Sequence, residues 1–175
     1  MSDQPVTDKA IDEVHALPGG AWRFEGRLGR HIDRIAAARL TTKEAWDALY
    51  PQTEEAFRLR MDDRSHPPGG VWRGEFWGKY MLAAMAAYRY DPCPALLDRI
   101  GSAVEGLLAT QDPDGYIGTY HDSRRFGPNT WNIWCRKYTL WGLLEAWSLL
   151  GDEAVLDAAV RFADHLVGEV GPGRE

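Results

Sequence analysis

Trp131-Asn132-Ile133-Trp134-Cys135-Arg136-Lys137-Tyr138-Thr139-Leu140-Trp141-Gly142-Leu143-Leu144-Glu145-Ala146-Trp147-Ser148-Leu149-Leu150 is apolar on nearly every side when wound as a helix. A helix of that kind is buried from several directions. Gly151-Asp152 turns the chain, and a return helix runs to about Val167. This second helix is amphipathic: Val155, Ala159, Phe162 and Leu166 share a stripe, with Asp157, Arg161 and Asp164 opposite.

Upstream lies a second pair of the same kind. One helix runs from about Gly74 to Tyr90, turns at Asp91-Pro92-Cys93-Pro94, and returns from Ala95 to about Gln111. On the return, Leu97, Ile100, Val104 and Leu107 make the apolar stripe, opposed by Asp98, Arg99 and Glu105. The pairs resemble each other: Lys79-Tyr80 with Leu82 matches Lys137-Tyr138 with Leu140, and Leu97-Asp98 with Leu107 matches Leu156-Asp157 with Leu166. A repeated hairpin of one buried and one half-exposed helix predicts an all-α fold, the double ring of an (α/α)6 toroid. Six hairpins at this spacing need roughly 350 residues by the same repeat logic. The 175 residues here supply about three, so the toroid is expected to be incomplete.

The first hairpin is less regular. Residues 1–26 are rich in Pro, Gly and charge, with Pro18-Gly19-Gly20 as a breaker, and read as an extended lead-in. Helical patterning begins near Leu28, with Ile32, Ile35 and Leu40 on one face. Thr42 caps a second helix with Ala45, Leu49 and Phe57 inward, and Pro51 predicts a break or kink. His66-Pro67-Pro68-Gly69-Gly70 is a loop. The expected division is a lead-in at 1–26, the N-terminal half of a toroid domain at 27–170, and a tail or truncation point at 171–175.

Composition narrows the function. A net charge of −6 with scattered Lys and Arg argues against nucleic acid, whose phosphates need a basic face. No apolar run reaches the roughly 20 residues of a membrane span. The N-terminus shows no secretory signal, and Cys93 and Cys135 have neither metal-knuckle nor disulfide-framework spacing, so a cytoplasmic protein with reduced thiols is expected. Eight Trp are far more than usual for this length. Some belong to the core; others fit platforms for sugar rings, whose apolar face stacks on indole while hydroxyls reach polar neighbours.

In a toroid the loops leading into the inner helices line a funnel. The two such stretches here, Gly70-Val71-Trp72-Arg73-Gly74-Glu75-Phe76-Trp77-Gly78-Lys79 and Asn129-Thr130-Trp131-Asn132-Ile133-Trp134-Cys135-Arg136-Lys137, mix Trp with Glu, Asn, Arg and Lys. The expected sugar-binding residues are Glu75, Trp77, Gln111, Tyr116, Trp131 and Asn132 around one concave surface. Alternatively, the Trp are plugs at the toroid mouth, and Glu75 simply favours the helix dipole. Gln111-Asp112-Pro113-Asp114-Gly115-Tyr116 is a turn by composition, with Gly supplying positive φ; it could also carry Tyr116, Tyr120 and His121 to the rim. Asp62-Asp63 could form a paired carboxylate site but reads first as a solvated loop, and His121 could be a ligand or general acid/base but reads first as an exposed loop residue. No pair of carboxyls of the kind glycosidases use is evident, so the catalytic residues are unassigned and no metal site is expected within the chain.

The runs Trp72 to Tyr80, Leu107 to Tyr116, and Trp134-Cys135-Arg136-Lys137-Tyr138 with Gly142-Leu143-Leu144 resemble the β-L-arabinofuranosidase-like proteins of glycoside hydrolase family 127, over roughly Leu28 to Val167. The resemblance implies a six-hairpin catalytic domain followed by β-sandwich domains. It implies retaining hydrolysis of terminal arabinofuranosides by a zinc-held cysteine thiolate and a glutamate acid/base, both in later hairpins. Zinc is therefore expected only in a full-length homologous domain, and neither Cys93 nor Cys135 takes the thiolate's place. The family's inner helix starts with His and Glu near an aromatic, where this chain has Trp-Asn-Ile-Trp-Cys-Arg-Lys-Tyr; another sugar or linkage is implied.

The leading expectation is thus a glycoside hydrolase fragment acting on terminal sugars of plant or microbial glycans, inactive alone, and needing the rest of the toroid or a partner chain. Two alternatives stand beside it: another α/α-toroid enzyme, such as an unsaturated glycuronyl hydrolase or a lyase, and a non-catalytic helical module binding glycan or protein. An open half-toroid would expose apolar inner-helix surface around Leu140, Leu143 and Trp147.

Overall fold

In a computed structural model, which describes residues 17–60, 73–122, 125–126 and 130–171, the chain forms seven α-helices and one π-helical stretch. The helices are α1 (Gly26–Ala36), α2 (Lys43–Leu49), α3 (Pro51–Leu59), α4 (Gly74–Tyr90), α5 (Pro94–Leu108), α6 (Asn132–Leu150) and α7 (Glu153–Glu169); the π stretch is Ala37–Thr41. Trp72, Asn129, Asp62-Asp63, the 66–70 loop, the lead-in before residue 17 and the tail after residue 171 lie outside the described residues.

The two long hairpins are α4–α5 and α6–α7. Gly151, at φ 67°, ends α6, and the Asp152 carboxylate accepts from the Ala154 N–H at 2.9 Å to open α7. Asp91 ends α4, and Pro94 sits in the first turn of α5, where a missing N–H costs nothing. The outer helices bury one stripe each. On α5 it is Leu96, Ile100, Ala103, Val104 and Leu107, with Leu97 only half-buried. On α7 it is Val155, Ala158, Ala159 and Phe162.

Helices α4 and α6 lie side by side and run in the same direction. Their backbones touch. A Cβ on Gly78 would stand 2.0 Å from the Tyr138 carbonyl oxygen, and one on Gly142 would stand 2.8 Å from the Trp77 ring. Only glycine permits that approach. The Thr139 hydroxyl donates to the Gly74 carbonyl at 3.3 Å, and Arg89 pairs with Glu145 at 2.8 Å toward the far end. The two inner helices are thereby joined along their length.

Helices α1 to α3 make the irregular first hairpin. Thr42 caps α2, its hydroxyl accepting from the Ala45 N–H at 3.3 Å, and Pro51 opens α3 as a separate helix. Two expected inward residues point out: Ile35 and Leu49 are both exposed, while Trp46 and Tyr50 fill the core. The π stretch inserts a residue between Ile35 and Leu40, which rotates the following face away from the one a regular helix would present. Phe57 is fully buried, as its spacing predicts.

The open face is also displaced from expectation. Leu143 is fully buried, and Leu140 and Trp147 are half-buried. The exposed apolar edge of α6 is instead Ile133, Trp134, Trp141 and Leu144. Leu143 belongs to the core cluster shared with Phe162 of α7, one residue round the helix from that edge.

Candidate functional site

The N-terminal ends of α4 and α6 emerge at the same end of the molecule, and a recess of about 460 Å³ opens between them, lined by Glu75, Lys79, Trp131 and Trp134. Each side chain is placed by its element. Glu75 and Lys79 lie one turn apart on α4, and their charges meet at 2.9 Å. Trp134 lies in the first turn of α6 and donates its indole N–H to the same Glu75 oxygen. Trp131 stands just before α6, where the Tyr120 hydroxyl accepts from its backbone N–H at 3.0 Å. Its indole is 56 % exposed and edge-on to Trp134, with centroids 6.3 Å apart.

The electrostatics of this recess are those of a held carboxylate. Burial alone would push Glu75 up, but the hydrogen bonds from Lys79 and Trp134, with the charges of Lys79 and Lys137, outweigh it and bring its pKa below the ordinary value. The Lys137 ammonium lies 3.7 Å from the Trp134 centroid and 4.1 Å from that of Tyr138. Lys79 covers Tyr138 at 4.7 Å. Glu75 is therefore an ionised acceptor at neutral pH. A general acid needs the opposite displacement.

Four other residues expected at the site lie elsewhere. Trp77 is fully buried in the core against Gly142, so its indole has no face for a sugar. Gln111 fastens the following turn to α7: its amide N–H groups donate to Gly115 O at 3.0 Å and Ala158 O at 2.9 Å, and Arg161 donates to its oxygen. Tyr116 is fully buried beneath the Arg125 guanidinium, which sits 3.5 Å from its ring centroid, and its hydroxyl donates to Tyr120 O at 3.1 Å. Asn132 is buried with its amide donating to Arg125 O at 3.0 Å. The turn itself forms as expected, Gly115 taking φ 98°. It folds Tyr116 and Tyr120 inward, while His121 is exposed.

The physical reason is a buried charge network that the isolated motifs do not reveal. The Arg136 side chain is fully buried and pairs with Glu169, with a nitrogen 2.8 Å from the His165 ring. Arg125 reaches Glu169 at 3.2 Å and Asp122 at 2.7 Å. These cations want the electron-rich face of Tyr116 and draw it inward. Conversely, Lys79 and Trp134 carry a signal in the sequence: Lys79 stands four residues after Glu75 on one face of α4, and Trp134 lies in the first turn of α6, three residues after Trp131.

Among the described residues no group of three or more His, Cys, Asp or Glu is gathered for a metal ion. Cys93 lies in a hairpin turn, and burial pushes the Cys135 thiol up to about 12. No helix among the described residues is long and apolar enough to cross a membrane.

One family model matches most of the chain. A model described as "Beta-L-arabinofuranosidase, GH127 catalytic domain" matches residues 27–174. No curated protein matches. Among solved structures, the crystal structure of a GH127 β-L-arabinofuranosidase from Geobacillus stearothermophilus T6 superposes with a TM-score of 0.63 at 19 % identity, which speaks for the fold. The match covers 87 % of this chain and 26 % of that one, so the present chain spans about a quarter of the length of the structure it resembles.

Proposed function

Because the chain belongs to the GH127 β-L-arabinofuranosidase catalytic-domain family, we propose that it forms the sugar-binding N-terminal part of a glycoside hydrolase acting on terminal arabinofuranoside-like sugars of plant or microbial glycans. One observation carries the reading: at the shared mouth of the two inner helices, an exposed indole stands beside a carboxylate and an ammonium. That is the composition a sugar needs, a flat apolar wall with acceptors and donors at its edge.

Among the described residues the recess holds a single carboxyl, and that one is kept ionised. Hydrolysis by a carboxyl pair needs a second group across the bond. The chain alone is therefore proposed to bind sugar without cleaving it, the reacting groups and any zinc-held thiolate coming from residues outside this sequence. The exposed edge of α6 supports the same requirement for further helices or a partner chain. A reducing, cytoplasmic setting belongs to the proposal, supported by two cysteines that form no disulfide.

Saturation-transfer NMR of the 175-residue chain with methyl β-L-arabinofuranoside tests the reading, alongside a hydrolysis assay on the p-nitrophenyl glycoside. Transfer that Trp131→Ala abolishes, without turnover, is expected. Absence of transfer in the folded wild type would remove the recess from consideration as a sugar site.

A further inference from the structure

We propose that Tyr120 is the positioning residue of the recess: its hydroxyl, anchored from behind through Tyr116, fixes where the Trp131 indole stands at the mouth. This rests on the reading of the recess as a sugar site and adds what holds its stacking wall in place.

Trp131 precedes α6 at φ −103° and ψ 17° and offers no side-chain cap. Ser, Thr, Asp or Asn at that place would tie down the helix start with a side-chain oxygen, and an indole has none. The anchor comes from outside the helix. The Trp131 N–H donates to the Tyr120 hydroxyl at 3.0 Å, and Tyr120 is only 2 % exposed. Burial pushes that phenol up to about 12, so at neutral pH the group stays an uncharged hydroxyl. The Trp131 side chain has more than half of its surface in water. Little packing steers it, and its direction follows from its backbone.

Tyr120 is itself held. Its carbonyl accepts from the Tyr116 hydroxyl at 3.1 Å, and that hydroxyl lies 3.4 Å from Oδ1 of Asn132, the first residue of α6. The Asn132 amide donates to the Arg125 carbonyl at 3.0 Å. Behind the Tyr116 ring stand the guanidinium groups of Arg125 and Arg136, 3.5 and 5.2 Å from its centroid, and Glu169 at the end of α7 pairs with both. A buried ion pair contributes little net stability, and its worth here is a fixed geometry. The line of contacts thus runs from the last turn of α7, through two tyrosines, to the indole at the mouth. Losing the hydrogen bond at its outer end turns the wall without opening the core.

Tyr120→Phe keeps the ring and removes the acceptor. In the 175-residue chain it is compared with Ile100→Val, a change to a fully buried α5 side chain that costs stability without touching this line of contacts. Two readouts are taken. One is the indole N–H resonance of Trp131 in a proton–nitrogen correlation spectrum without ligand, assigned by its loss in Trp131→Ala. The other is the affinity for methyl β-L-arabinofuranoside. Tyr120→Phe should shift or broaden the resonance and weaken the glycoside roughly fivefold, the worth of one hydrogen bond. Ile100→Val should lower Tm and leave both readouts unchanged, which separates positioning from stability. Should Tyr120→Phe not fold, Tyr116→Phe removes the hydroxyl behind it and is expected to act in the same direction. An unmoved Trp131 resonance with full affinity, or equal effects from Ile100→Val, would overturn the positioning role while leaving a sugar site in place. A moved resonance in a chain whose folded wild type binds no glycoside would instead remove the sugar reading and leave Tyr120 as the residue that fixes Trp131.

Discussion

Cys135 occupies the first turn of α6 under the wall of the recess, and burial raises its thiol to about 12. At pH 8 the thiolate fraction is then on the order of 10⁻⁴, too small for reaction. Iodoacetamide at pH 8 should therefore modify the half-buried Cys93 in the native chain and spare Cys135, while denaturant exposes both; peptide mapping reads the difference. Glu75 supplies a pH signature of the opposite kind. Its folded pKa lies below 4.5, so the unfolded chain takes up the proton first as the pH falls. The stabilisation from its partners is whole above that value and drains away as the pH drops through the lowered one. As the pH falls through and below the ordinary carboxylate range, the Tm of the wild type should fall more steeply than that of Glu75→Gln. Equal slopes in a thermal denaturation series would show that Glu75 carries none of the dependence. Of the six expected sugar-binding residues, Glu75 and Trp131 line the recess, because position near a helix N-terminus follows from spacing alone. Tyr116 and Gln111 do not, because a turn's side chains point where distant partners pull them. Arg125 and Arg136 pull Tyr116, and Arg161 and the Ala158 carbonyl hold Gln111.

At the scale of the elements, packing is governed by the contact between α4 and α6. A methyl group at position 78 would meet the Tyr138 carbonyl, a backbone atom that cannot swing aside. Gly78→Ala should cost about 3 kcal/mol or more, the upper range for overpacking. Gly101 in α5 is the control: its added Cβ meets nothing within 4 Å, so Gly101→Ala should be neutral or stabilising by about 0.5–1 kcal/mol. Urea denaturation of both variants checks the pair, and equal losses would contradict the close approach. Helices α4 to α7 were readable because each carries its own turn chemistry, Asp91 to Pro94 in one hairpin and Gly151-Asp152 in the other. The first hairpin was not, since a π stretch breaks the 3.6-residue phase on which such reading depends.

At the scale of the whole molecule, one edge of α6 is left open by the described helices. Ile133, Trp134, Trp141 and Leu144 are each more than 40 % exposed, and a recess of about 640 Å³ runs along them to Leu166. The 175-residue chain should bind an apolar dye such as anilinonaphthalene sulfonate, and Leu144→Gln should reduce that binding without lowering Tm. Unchanged dye fluorescence would place the apolar surface elsewhere. The all-round apolarity of residues 131–150 announced a face needing cover, but which quarter of the helix it occupies depends on where α4 and α7 settle. The glycine contact has a further effect at this scale. The backbones of α4 and α6 meet one turn below the recess, at Gly78 and Tyr138, so the Glu75–Lys79 side and the Trp131–Trp134 side travel as one piece. On the proposed function, an arriving sugar would meet a gap held between two joined helices, with no closing motion to be driven by its contacts. On that reading, rings would be sorted at the mouth by breadth and hydroxyl stereochemistry.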